Sequence, residues 1–286
     1  MLTLYIGTIL LLNIPYIQQQ LSVVVSRELS SLLSSSVSIG RINMGFLNRI
    51  IIDDLLLHDQ AQKELLKVAR LSAKFDLLPL LQGKISISNV QLFGFNIHLE
   101  RQTPDTPPNF QFVLDAFASK DTVSHSSALD LRINSLLIRR GTVSYDLHSA
   151  PLTPGKFNPR HLRLQNILAN ISLKALSGDS INAAIKRMSL EEAHSGLELK
   201  KLSLKVTGNQ QQMRIHHFGV ELPQTKLAMD TIRLSYDSLS DFRHFADKVH
   251  FSLHMLPSHL TLQDISAFVP AFRPFKDKLQ VEISTS

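Results

Sequence analysis

Apolar and polar residues alternate along most of this chain, and the alternation slips in a regular way. In Lys84–Arg101, Ile85 and Ile87 alternate with serines, as a half-buried strand requires. Ser88 and Asn89 then intervene, and Val90 and Leu92 resume on the opposite parity. In a flat strand that slip would carry the second pair to the wrong face. A β-bulge inserts one extra residue, returns all four to one face and adds twist.

The motif is apolar at offsets 0, 2, 5 and 7. Copies with no intervening apolar residue start at Val37, Ile85, Leu197, Met213 and Leu260, and looser ones at Ile50, Leu66, Leu131, Leu162, Ala183 and Leu227. At 44% apolar composition, the loose form arises by chance in roughly ten windows and the strict form in roughly one. Five strict copies therefore mark a genuine, degenerate repeat.

The spacing predicts strands at 37–44, 49–58, 65–77 and 84–100, and then at 160–174, 180–191, 196–207, 211–221, 225–236 and 247–256, with another starting at 278. Consecutive strands this close pair as antiparallel neighbours. Short helices are expected at 110–119, from the spacing of Phe110, Val113, Leu114 and Phe117, and at 263–275. The end of the chain carries no closing element, as in part of something longer.

The N-terminal stretch follows a different pattern. Leu4, Ile6, Ile9, Leu10, Leu11 and Leu12 belong to an apolar run extended by Ile14, Tyr16 and Ile17. The run is shorter than the roughly 20 residues that span a bilayer, and no Lys or Arg precedes Arg27. A truncated signal anchor fits best; a buried N-terminal helix or strand is the alternative. After Pro15, residues Ile17, Leu21, Val24, Val25, Leu32 and Leu33 fall near one face of a helix expected over 16–34. The organisation is thus an anchor at 1–17, an amphipathic helix at 18–36, a first β segment at 37–101, a Pro-rich loop with a short helix at 102–129, and a second, open-ended β segment at 130–286.

Composition removes much chemistry. There is no Cys, so disulfides, zinc–thiolate sites and thiol catalysis are excluded together. The net charge is +6, but the cations are scattered and there are four Tyr and no Trp, so the basic stripe and stacking platform of a nucleic-acid groove are missing. Among twelve histidines, His216 and His217 point to opposite faces of a strand, and His250, His254 and His259 lack a metal-ligand spacing. Asp53-Asp54 reads as the polar part of a bulged strand. No nucleophile elbow, dinucleotide loop or phosphate loop occurs. The expectation is a non-enzyme with no cofactor and no metal.

Several segments together resemble the AsmA-like superfamily, TamB-type envelope proteins above all, over their N-terminal portion. They are Ile14-Pro15-Tyr16-Ile17-Gln18, Val37-Ser-Ile-Gly40, Ile51-Ile-Asp-Asp-Leu-Leu-Leu-His-Asp59, Leu77-Leu-Pro-Leu-Leu-Gln-Gly-Lys-Ile85 and Val90-Gln-Leu-Phe-Gly94. Phe110-Gln-Phe-Val-Leu-Asp-Ala-Phe117 and Leu262-Gln-Asp-Ile-Ser-Ala-Phe-Val-Pro270 add to them. The resemblance implies a single-pass inner-membrane anchor followed by a long coiled β-groove in the periplasm. It also implies phospholipid movement toward the outer membrane, or help in assembling outer-membrane proteins. The family's basic start and its C-terminal domain, thought to meet an outer-membrane β-barrel assembly protein, are absent from this sequence.

Physical reasoning leads to a related fold: predominantly all-β, with antiparallel bulged strands and too few helices to cover them. Such a sheet either closes on itself or curls into a trough whose apolar lining holds acyl chains, each buried methylene contributing about 0.8 kcal/mol. The candidate lining residues are Ile85, Ile87, Val90, Leu92, Leu131, Ile133, Leu199, Leu202, Ile215 and Phe218.

Overall fold

A computed structural model describes residues 14–45, 48–75, 85–118, 129–130, 134–177 and 180–282. The chain divides into two compact units: Met1–Ile133 with Ile138–Leu152 and Pro159–Arg163, and Asn134–Leu137 with Thr153–Asn158 and Leu164–Ser286.

The first unit starts with helix α1 (Pro15–Leu33), followed by strands β1 (Val37–Gly45), β2 (Arg49–His58), β3 (Glu64–Phe75) and β4 (Ile85–Arg101). Helix α2 (Gln111–Ala118), the short β5 (Leu129–Asp130) and most of β6 (Ser135–Leu147) complete it. The strand order is β1-β2-β3-β4-β6. β1 to β4 pair antiparallel, and β5 pairs parallel with the first residues of β4.

Cross-strand register lines up four apolar rows on β1–β4: Val37–Leu57–Leu66–Ile97, Ile39–Leu55–Val68–Phe95, Ile42–Ile52–Leu71–Leu92 and Met44–Ile50–Ala73–Val90. Each strand thus contributes residues at the 0, 2, 5, 7 spacing. Between the second and third rows run Gly40, Asp54, Ala69 and Gly94. Asp54 (φ 55°) and Gly94 (φ 63°) are left-handed, so every second strand carries the kink. Their neighbours must be small. A Cβ on Gly40 would lie 3.0 Å from the Asp54 Cβ, and one on Gly94 3.1 Å from that of Ala69.

This arrangement corrects one expectation. Val37, Ile39 and Ile42 are all buried, as a shared face requires. Yet the β1–β2 ladder passes through the parity change without a register shift. All four strands insert their extra residue at the same level, so none bulges against another. A one-residue shift does occur on β4 where Ile87 pairs with Phe75 and Val90 with Ala73.

The second unit holds the rest of β7 (His161–Ser177), then β8 (Ser180–Glu192), β9 (Leu197–Gly208), β10 (Gln212–Glu221) and β11 (Lys226–Ser235). Helical turns at Leu239–His244 and α3 (Phe245–Lys248) precede β12 (His250–Met255), β13 (Ser258–Thr261) and β14 (Lys278–Val281). The order is β7-β8-β9-β10-β11-β13-β14, with β12 also beside β11, and the pairings from β7–β8 onward are antiparallel. Several register shifts fall where the apolar spacing changes parity, while others, such as Asn170/Ile171 and Leu173/Ala175 on β7, do not. The former lie between Gln165 and Leu168 on β7, Ile185 and Met188 on β8, and His216 and Gly219 on β10. On β9, Leu202 pairs with Met188 and Leu199 with Leu190, so three residues there oppose two.

Three further expectations change. Leu260–Ala267 is not a fifth copy in strand form, and 263–275 is not one helix. β13 ends at Thr261, and 3₁₀ turns cover Leu262–Ile265 and Pro270–Phe272, because Pro270 and Pro274 interrupt helical hydrogen bonding. The strand expected over 247–256 starts only at His250, because Asp241 accepts from the Asp237 and Ser238 amides (3.0 and 2.9 Å) and begins a helical turn. Finally, α1 buries only part of the apolar face read from its sequence. Leu33 is buried and Ile17, Leu21 and Val25 are partly buried, whereas Val24 and Leu32 are exposed and the polar Gln18 and Ser22 are buried. Ser22 tolerates burial because its hydroxyl donates to the Gln18 carbonyl at 2.9 Å.

Candidate functional site

The apolar rows of the first unit are covered at one end. Leu33 of α1 joins Val37, Leu57 and Leu65 in a buried cluster, against which Leu29, Phe110, Phe112, Val113 and Ala116 pack. Polar contacts fix that end. The buried Asp59 carboxylate accepts from the Ala61 and Lys63 amides at 2.8 and 2.9 Å. Ser35 Oγ donates to the His58 carbonyl at 2.7 Å, joining the exit of α1 to the same turn. Asn109, ahead of α2, donates to the His98 carbonyl at 3.1 Å and accepts from the Glu100 amide at 3.0 Å.

Beyond the kink, no helix among the described residues covers the rows. Ile42 is buried at 4% exposure, but Ile52, Leu71, Leu92, Met44, Ile50, Ala73 and Val90 are only half-buried. The rows from Val37 to Met44 span seven residues, roughly 23 Å along a strand, and four strands are roughly 14 Å across. The whole apolar face is longer than the roughly 15 Å of one bilayer leaflet's hydrocarbon.

The opposite face is polar and paired. Asp53 accepts from Arg70 Nε at 2.6 Å and from Asn43 Nδ2 at 3.2 Å, and the Arg140 guanidinium lies over the Phe93 ring at 5.1 Å. Asp53-Asp54 is thus a kinked strand segment with structural partners.

Of the candidate lining residues, Ile87, Val90 and Leu92 lie half-buried on β4. The side chain of Ile85, together with Leu131 and Ile133, lies outside the described residues, as do the anchor residues Leu4, Ile6, Ile9, Leu10, Leu11 and Leu12. Pro15–Ile17, assigned to the anchor from sequence, belong to α1. Among the described residues no helix is long and apolar enough to cross a membrane.

In the second unit Leu199 and Leu202 sit half-buried on β9, and Ile215 and Phe218 on β10. Ile215 packs against the buried Leu234–Tyr236–Val249 cluster beside Phe242, so protein atoms cover part of it. Leu199 helps line a cleft of about 620 Å³ whose other walls include Arg187, Glu191, Glu198 and Lys201. The charges there pair in part, Lys201 with Glu221 at 3.6 Å. Sequence reasoning did not single out Leu57, Val68 and Phe95, which are buried within the rows (7%, 1% and 6% exposed), although all three sit at 0, 2, 5, 7 spacing.

Polar clusters elsewhere are structural. His161, 6% exposed, holds Asp146 Oδ1 at Nδ1 and the Ala150 carbonyl at Nε2, both at 2.9 Å. Two acceptors call for a proton on each nitrogen, and Asp146, then Ala150, raise the imidazole pKa above its ordinary value. The buried Glu192 carboxylate accepts from the amide and hydroxyl of Ser195 at 2.7 and 2.6 Å, closing the β8–β9 turn. Among the described residues no group of three or more His, Asp or Glu gathers to hold a metal. No protein-family model matches the chain, and no curated protein matches it.

Proposed function

We propose that the chain is a membrane-anchored, periplasmic β-groove protein that conducts phospholipids between the inner and outer membranes. One observation carries this reading. The apolar rows of β1–β4 continue past the helix-covered end as a half-buried face, where an apolar ligand would remove surface from water. Kinked and bulged strands favour coiling of such a sheet. The likeness of sequence pattern to AsmA-like proteins supports the anchor, the compartment and the cargo.

Scaffolding of outer-membrane protein assembly is the second reading. Among the described residues β1 pairs with β2 alone and β14 with β13 alone, so each unit offers a strand edge to a further strand.

Photo-crosslinking amino acids in cells separate the two. At Ile52 and Leu92, lipid adducts are expected, with none at Lys67 or Arg70 on the exposed face. Equal labelling on both faces, or none at Ile52 and Leu92, sinks lipid conduction. Protein adducts concentrated at Ser38 and Gly40 on the β1 edge would favour the scaffold.

A further inference from the structure

We propose that residues 262–281 of the second unit form a contact surface for an anionic lipid bilayer. This goes beyond the groove reading and does not depend on it.

The segment exposes large apolar side chains that it could have buried. Phe268, Val269, Phe275 and Leu279 are 45%, 42%, 52% and 46% exposed. They are not on a loose loop. The Phe268 amide donates to Ile265 O at 3.0 Å, Phe272 to Val269 O at 2.9 Å and Phe275 to Phe272 O at 3.0 Å. Gln263 N donates to Phe275 O at 2.9 Å and ties the ends of the segment together. The Phe268 ring packs on Phe157 with centroids 5.1 Å apart. The rings are therefore held in place before any partner arrives, which lowers the entropy cost of binding.

Charge selects the occupant. Within 262–281 the exposed cations Arg273, Lys276 and Lys278 stand against two carboxylates, Asp277 and Asp264, and Asp264 accepts from the Gln224 amide at 2.7 Å. A second copy of this surface would bring those cations face to face. A further strand could not pair along 268–275, because Pro270 and Pro274 remove ladder donors and the backbone there is turned. Exposed Phe, Val and Leu beside Lys and Arg match a headgroup region, where apolar groups enter the acyl boundary and cations meet anionic lipid.

The absence of Cys makes the test direct. Full-length protein carrying Val269→Cys or Leu279→Cys is labelled with an environment-sensitive fluorophore. It is reconstituted in vesicles of phosphatidylcholine with or without phosphatidylglycerol, both doped with a nitroxide lipid. Lys186→Cys, exposed on β8, is the reference. Quenching at 269 and 279 well above that at 186 is expected, and only with phosphatidylglycerol. Replacing two of the three cations by Lys276→Gln and Lys278→Gln should weaken the contact roughly thirtyfold. Quenching no greater than at 186 in either vesicle overturns the proposal. So does a blue shift that grows with protein concentration without vesicles, which would assign the surface to a second copy. Quenching indifferent to both lysines overturns the electrostatic argument. Circular dichroism unchanged from the parent keeps misfolding out of the comparison.

Discussion

The kink across β1–β4 predicts a specific response to a single methyl group. Gly94 is left-handed at φ 63°, and a Cβ added there would lie 3.1 Å from the Ala69 Cβ on the neighbouring strand. Two costs arise in Gly94→Ala. The left-handed conformation costs a residue with a Cβ roughly 1–2 kcal/mol. A contact tighter than ordinary van der Waals distance, between two strands held by their ladder, adds overpacking of about 1 kcal/mol or more. Loss of glycine's freedom in the unfolded chain offsets roughly 0.4–1 kcal/mol. The net expectation is about 2 kcal/mol. Gly196 separates the two costs, because its φ is 74° and a Cβ there meets nothing within 4 Å. Gly196→Ala should therefore cost about 1 kcal/mol, the conformational share alone. Ala69→Gly in the Gly94→Ala background should recover the contact share and leave the conformational one. Urea unfolding followed by far-ultraviolet circular dichroism measures the parent, Gly94→Ala, Gly196→Ala, Ala69→Gly and the double variant, and the coupling between positions 69 and 94 is read from the cycle. A coupling of zero, or equal effects of Gly94→Ala and Gly196→Ala, would refute the close approach of β3 and β4 at the kink.

Other expectations can be checked with the same protein. A methyl group at Gly141 would overlap the ring of buried Phe95, so Gly141→Ala should destabilise by about 1–3 kcal/mol and Phe95→Leu should relieve part of that in the double variant. His161 has a raised folded pKa, so its contribution to stability is complete below the ordinary histidine value near 6.5 and is lost as pH rises through the folded value. Thermal melts from pH 5 to 9 should show that loss, and Asp146→Asn should shrink it and move it to lower pH; identical profiles for parent and variant would rule out the clamp. Asp59→Ala should cost about 1–3 kcal/mol by orphaning the Ala61 and Lys63 amides. Unchanged stability would deny the turn its structural role.

Much of the fold was legible because strand pairing depends on apolar periodicity. In β2, Ile50, Ile52, Leu55 and Leu57 carry the spacing, and their partners on β1 and β3 carry it too. Positions 85–92 fixed a true register shift for the same reason. The pattern could not say whether an extra residue would be opposed. Ile39 and Ile42 look like Leu199 and Leu202 in sequence, yet Gly40 meets an extra residue on β2 whereas β9 bulges against β8. That depends on what the neighbouring strand contributes, a non-local fact. Gly40 and Gly94 were visible hints, since only small residues fit beside a left-handed neighbour. The turn at Leu239–Lys248 escaped because apolar spacing does not distinguish a 3₁₀ turn from a strand end, and 263–275, expected as one helix, breaks into 3₁₀ turns around Pro270. On the candidate face, Leu92 and Phe95 were equally apolar in sequence, but the chain buries Phe95 against Gly141 and leaves Leu92 half-exposed.

That difference between neighbours bears on why the face is built as it is. The chain commits α1 and α2 to the rows ending in Val37, Leu57 and Leu66, and the kink begins one row later. Past it, residues such as Ile52, Leu71 and Leu92 stay partly exposed to water. A fully buried Leu or Ile side chain contributes roughly 1.5–3 kcal/mol, so each partly exposed one forgoes a few tenths of a kcal/mol. Over Ile50, Ile52, Leu71, Val90 and Leu92 the sum is roughly 2 kcal/mol, a noticeable share of the stability of a small domain. A sequence optimised only for folding would replace some of them with Thr or Lys on a water-facing strand, as polar-out sheets do. Retaining the apolar residues where no described helix covers them is coherent if cover is supplied from outside. A row of methylenes laid along the strands could do so, and would recover the forgone energy without any hydrogen-bond partner.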